Sequence, residues 1–200
     1  MKYFSPGSAS LLILAFILVL SGCKETDKTE EAIAKIPIDL KISRFDREFA
    51  EATPADIPKL KNEYPYLFPA QFPDSVWIAK LSDTLQVELS EEVNKTFGNF
   101  ETETEALESL FQHIKYYFPE FATPKVVTLT SDVRNEDRII LTDTLLLIGL
   151  DNYLGKDHHF YKGIQRYIAA GLDTKFLASD VASAFSNKVI SYPRHRTFLS

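Results

Sequence analysis

The residues best suited to chemistry in this chain are Asp157, His158 and His159, within "GKDHHFY". Two imidazoles and a carboxylate are donor types that zinc accepts, and zinc with a bound water is a hydrolase centre. The trio is therefore a candidate metal site. Its spacing argues the other way. Adjacent side chains diverge, and spacing places no further ligand beside them. A polar loop at a sheet edge is the simpler reading. His113 lies one residue off an apolar helical stripe and reads as a boundary histidine. His195 sits between two arginines in "YPRHRTF", a basic surface loop. G-x-S-x-G, Walker A, G-x-G-x-x-G and H-E-x-x-H are all missing from the sequence. Carboxylate pairs such as Glu91-Glu92 fall on a helix surface, where charge is the ordinary condition. No catalytic constellation assembles, and no cofactor is called for.

The remaining reactive group is the thiol of Cys23, the sole cysteine. One cysteine excludes an internal disulfide framework and a cysteine-based zinc site. It follows the apolar run Leu11 to Leu20, which suits a signal-peptide core and falls short of the roughly 20 residues a membrane span needs. Leu20-Ser21-Gly22-Cys23 looks like a bacterial lipobox. The small residues admit a peptidase just before the cysteine, and the thiol takes a diacylglyceryl group as a thioether. Each buried methylene contributes about 0.8 kcal/mol, and stable anchoring takes two chains, which a diacylglyceryl group supplies. Cys23 is thus the expected lipidation site and membrane anchor of an envelope protein. A lipidated thiol is no longer a nucleophile.

Composition agrees with a folded domain behind such an anchor. Hydrophobic residues make up 45% and charged residues 25%, enough apolar material for a core. The net charge of −6 argues against nucleic acid, whose phosphates demand clustered Lys and Arg. Three segments follow: a signal peptide at 1–22, the acylated cysteine with a flexible tether at 23–36, and a domain at 37–200. "KETDKTEEAIAK" lacks glycine and aromatics and reads as a solvated tether.

The elements that must position these residues read as α+β, helices packed on one small sheet. Ile38, Leu40 and Ile42 alternate, as in a half-buried strand. Thr53 and Pro54 open a short helix that Tyr64-Pro65 closes. "YPYLFPAQFPDSVWIAKL" carries prolines at 65, 69 and 73 and reads as a stiff loop, with Tyr66, Phe68 and Trp77 as candidate partner contacts. Asp83 caps a helix with stripe Leu85, Leu89, Val93 and Phe97, ended by Gly98. Thr102 and Glu105 have capping-box spacing ahead of Leu107, Leu110, Phe111, Ile114 and Phe118. "KVVTLTSD", "RIILTD" and "TLLLIGL" read as strands, the last buried on both faces. Helical stretches at 167–172 and 177–189 complete the chain.

With those segments in place, a resemblance emerges. The lipobox, "IDLKISRFDREF", "YPYLFPAQFPDSVW", "LESLFQHIKYYFPEF" and "LLLIGLDNYLGKDHHFY" together resemble the gliding-motility lipoprotein GldB family of Bacteroidetes, from Cys23 to the end. The resemblance implies a membrane-attached cell-envelope protein needed for gliding, with other gliding-machinery or envelope proteins as partners and without an established enzymatic activity. Family members continue further, so the chain is expected to be truncated at its C-terminus. "LLLIGLDNYLG" ahead of a helix is also similar to predicted zinc-dependent proteases of the HExxH type. Here the helix "LASDVASAF" offers Asp180 and Ser183 but no histidine, which implies a degenerate zincin-like site.

Overall fold

The computed structural model describes residues 24–189. At its centre lies a four-stranded sheet of β1 (Ile42–Ser43), β2 (Lys125–Leu129), β3 (Ile139–Leu141) and β4 (Leu145–Gly149), in the order β1-β2-β4-β3. β2 runs parallel to both neighbours, with Val126 opposite Ile42 and Leu146. β3 returns antiparallel to β4, with Ile140 opposite Leu147. Apolar residues on both sides of "KVVTL" and "LLLIG" suit a sheet covered on two faces, and that cover is complete at Val126 and Val127 of β2 but only partial at Leu145 and Leu147 of β4. Val126, Leu146 and Ile148 enter one core layer. Val127, Leu145 and Leu147 turn to the other. The α+β expectation holds.

The first layer is built by α5 (Thr84–Phe97), α6 (Glu101–Tyr117) and α8 (Leu177–Val189), which supply Val93, Phe97, Leu107, Phe111, Ile114, Leu177 and Val181. The second comes from α2 (Phe45–Ala50), α3 (Ile57–Glu63) and α4 (Asp74–Leu81), which gather Phe45, Phe49, Ile57, Leu60, Tyr64 and Phe68 around Val127. Arg44 ties the layers. Its guanidinium donates to both carboxylate oxygens of buried Asp46 at 2.9 and 2.7 Å, and to Gly98 O at 3.2 Å. Asp46 also accepts the Thr128 hydroxyl from β2.

Most caps fall as expected. Asp56 accepts the N–H and hydroxyl of Thr53 at 2.8 and 2.6 Å, and Asp83 accepts Gln86 N–H at 3.0 Å. Four readings change. Residues 24–33 are not an open tether but form α1 (Lys24–Ile33). Ile33 is buried, and Gln112 Nε2 donates to the carbonyls of Ala34 and Ile36 at 3.3 and 3.2 Å. Buried Ile33 and half-buried Ile36 are the segment's apolar residues at its C-terminal end, a signal too brief to stand out among charges. The stiff loop expected over 64–81 contains α4, which begins immediately after Pro73. α6 starts at Glu101, ahead of the Thr102 cap, because buried Phe100 adopts φ 64 at the preceding position. The alternating segment 38–42 contributes side chains to the core, but its ladder is just Ile42–Ser43.

Candidate functional site

The motif after β4 builds the most constrained corner of the molecule. A Cβ on Gly149 would lie 2.7 Å from Ser131 Oγ and 3.0 Å from Asn152 Nδ2, so this position has room for glycine alone. Buried Asp151 accepts the backbone N–H of Ser131 at 2.9 Å and of Val133 at 2.6 Å, and the Ser131 hydroxyl at 3.1 Å. Those bonds pin a turn in which Asp132 and Val133 have φ 56 and 58. Left-handed backbone costs a non-glycine residue about 1–2 kcal/mol, and a β-branched one adopts it rarely. Burial pushes the Asp151 carboxyl up, while the N–H groups of Val133 and Ser131 pull it back. Asn152 Nδ2 donates to Ser131 Oγ at 2.8 Å and to Gly149 O at 3.3 Å. The turn carries Asp132 to Lys80 on α4, at 3.0 and 3.1 Å.

Between this turn, α4 and the open face of β3 and β4 lies a cleft of about 480 Å³. Tyr66, Leu67, Phe72, Val76, Trp77, Ile140 and Leu147 form its apolar lining. Tyr66 is 43% exposed and Phe72 42%. The three proposed anchors separate here. Tyr66 stands at the cleft, and Trp77 is partly buried in its wall, with its indole Nε1 buried and without a hydrogen-bond partner among the described residues. Phe68 is 4% exposed and packs in the core, edge-on to Trp77 at a ring separation of 4.8 Å. Phe68 is therefore a core residue rather than a contact anchor, and Phe72 takes its place on the surface. Proline punctuation marked the segment as unusual but carries no signal for which ring turns inward.

A second cleft, about 490 Å³, lies on the opposite side of β3, against α8 and the short α7 (Arg166–Ala169). Ile139, Tyr167, Ile168, Ser183 and Asn187 line it. Its polar centre is Asp180, which accepts Arg138 Nε and the Tyr153 hydroxyl, each at 2.9 Å. Burial, then the Asp180 charge, raises the Tyr153 hydroxyl far above its ordinary value. Asp180, the candidate remnant of a zinc-protease helix, is thus committed to an arginine and a tyrosine.

The histidine pair points elsewhere. His158 Nε2 lies 3.0 Å from Glu92 Oε2, and His159 Nε2 lies 2.9 Å from Glu88 Oε1. The ring centroids lie 4.4 Å apart, with the planes tilted by 34°. A single turn of 3-10 helix at His159–Tyr161 follows His158, and both rings reach α5, where two glutamates lie one helical turn apart. The hydrogen bond from His158 holds Glu92 below its usual range. Among the described residues, no group of three or more His, Cys, Asp or Glu side chains is arranged to hold a metal ion. Asp157, His158 and His159 do not converge into the alternative ligand set. His113 is a boundary residue, with Nδ1 bonded to Ser109 O at 2.7 Å.

Leu20, Ser21, Gly22, Cys23 and His195 lie outside the described residues. Among those described, no helix is long and apolar enough to cross a membrane.

Fold and clefts together define an α+β domain whose small mixed sheet leaves one strand flanked by two open surfaces. The chain belongs to the gliding motility protein GldB family, a lipoprotein family, whose model matches residues 26–200. The resemblance carried by its sequence segments is borne out. Among curated proteins and among solved structures, no significant match was found.

Proposed function

We propose that this protein is a lipid-anchored component of the gliding machinery in the cell envelope, held through acylated Cys23 and working by protein contacts rather than catalysis. Family membership supports the setting. One observation carries the mode of action: an apolar cleft with Tyr66, Phe72, Val76 and Ile140 all exposed along it. Aromatic side chains clustered at an open surface suit an interface, because a few such anchors supply most of a contact's free energy.

The test has two arms. Cys23→Ala should abolish fatty-acid labelling and release the protein from membranes. Tyr66→Ala with Phe72→Ala should stop colony spreading while abundance and labelling stay normal. Retained label and membrane attachment in the first arm would overturn the anchor. Normal spreading in the second would overturn the contact surface.

A further inference from the structure

β3 is one rim of the sheet and, among the described residues, pairs with β4 alone. Gly149 N–H donates to Arg138 O at 2.9 Å, and Thr142 N–H donates to Leu145 O at 2.8 Å. Bonded pairs alternate along an antiparallel ladder. Ile140 therefore bonds inward to Leu147, while Ile139 and Leu141 aim their N–H and C=O groups away from the sheet. The opposite rim is managed by brevity, since β1 is two residues long. β3 carries neither proline nor charge in "IIL", and Ile140 is exposed. Such an edge is a template for another strand.

Its surroundings fit an occupant. Ile140 borders the cleft of Tyr66, Phe72 and Trp77, and Ile139 borders the cleft of Tyr167, Ile168 and Asn187. A strand laid along β3 sends alternate side chains to opposite faces, one set toward each cleft. Backbone bonds would supply affinity and the two clefts selection. Charge at the entrance narrows the choice. Arg138 is taken by Asp180 and Lys188 by Asp143. Among the described residues, Glu136 and Asp137 are exposed without an ion-pair partner, while of the remaining cations lining the two clefts Lys80 is held by Asp132 and Arg134 is exposed.

We propose that the outer edge of β3 captures an extended segment of a partner protein as an added strand, apolar at alternate positions and basic where it meets Glu136 and Asp137. This rests on the protein-contact reading above and deepens it by naming the surface and the partner's chemistry. Failure of membrane anchoring would sink the earlier reading alone, and failure of strand capture would sink this inference alone.

The probe is a displayed library of random heptapeptides, selected on the full chain in detergent. Selected peptides should carry alternating apolar residues and a Lys or Arg at one end. Binding should protect the Ile139 and Leu141 amides from hydrogen exchange. Leu141→Pro, which removes an outward N–H without removing a ladder bond, should weaken binding at least tenfold. Methylating peptide nitrogens at alternate residues gives a second reading that leaves the protein unchanged. One phase of methylation should abolish binding and the other should be tolerated. No selected peptide, equal loss from both methylation phases, or peptides unaffected by Leu141→Pro would overturn the proposal. So would self-association that disappears in Leu141→Pro with no peptide bound, because the occupant would then be a second copy.

Discussion

The Asp151 carboxylate accepts the Val133 N–H at 2.6 Å and holds that valine at φ 58. A buried acid thus sets the shape of a turn 18 to 20 residues earlier, and through Asp132 and Lys80 it braces the wall of the aromatic cleft. Asp151→Asn should test the pairing. The amide can accept one N–H, but its NH₂ then faces a second donor. A buried donor left unmet costs about 1–3 kcal/mol. Urea unfolding should show a loss in that range, with hydrogen exchange quickening at Val133.

Gly149→Ala should destabilise by about 1–3 kcal/mol, because the added methyl overlaps Ser131 Oγ. Ser131→Gly in the same chain should restore part of the loss. A double-mutant cycle of unfolding free energies measures the coupling. An additive result would place the strain elsewhere.

Phe68→Ala should cost about 3–5 kcal/mol, as a buried ring leaves a cavity. Tyr66→Ala, at an exposed position, should stay within about 0.5–1 kcal/mol. Thermal unfolding of the two variants separates core from surface. Motility defects in Phe68 variants would therefore report lost protein, whereas those in Tyr66 and Phe72 variants report lost contact.

The docking of the histidine turn on α5 should depend on pH. Glu92 is held below its ordinary value near 4.5, first by its bond with His158. Its contribution is therefore complete above pH 4.5 and disappears as pH falls through the lowered value. Acid titration followed by the ring resonances of His158 should show that ring leaving Glu92 in that window. Glu92→Gln should remove that transition.

Much of the fold is legible along the chain. The strands "KVVTL" and "LLLIG", the α5 and α6 stripes, and the caps at Thr53 and Asp83 are local events. Short-range sterics and hydrogen bonds dictate them, and those are written in neighbouring residue types. The family, too, is readable from long unusual segments. The Cys23 anchor is an expectation from local chemistry that lies outside the described residues.

Tertiary structure decided what depends on distant partners. Phe68 and Tyr66 sit two residues apart in the same proline-rich stretch, yet one is core and the other surface. Only packing against Phe45, Tyr64 and Trp77 makes that choice. Asp151 and Asn152 gave no sign of being buried, because their hydrogen-bond partners are distant in sequence: Asp151 accepts from residues 131 and 133, and Asn152 donates to Ser131. His158 and His159 met glutamates some seventy residues earlier in the chain rather than a metal. The open edge of β3 likewise follows from strand order. Periodicity can place a strand, but which strand lies at the rim is settled when the sheet assembles.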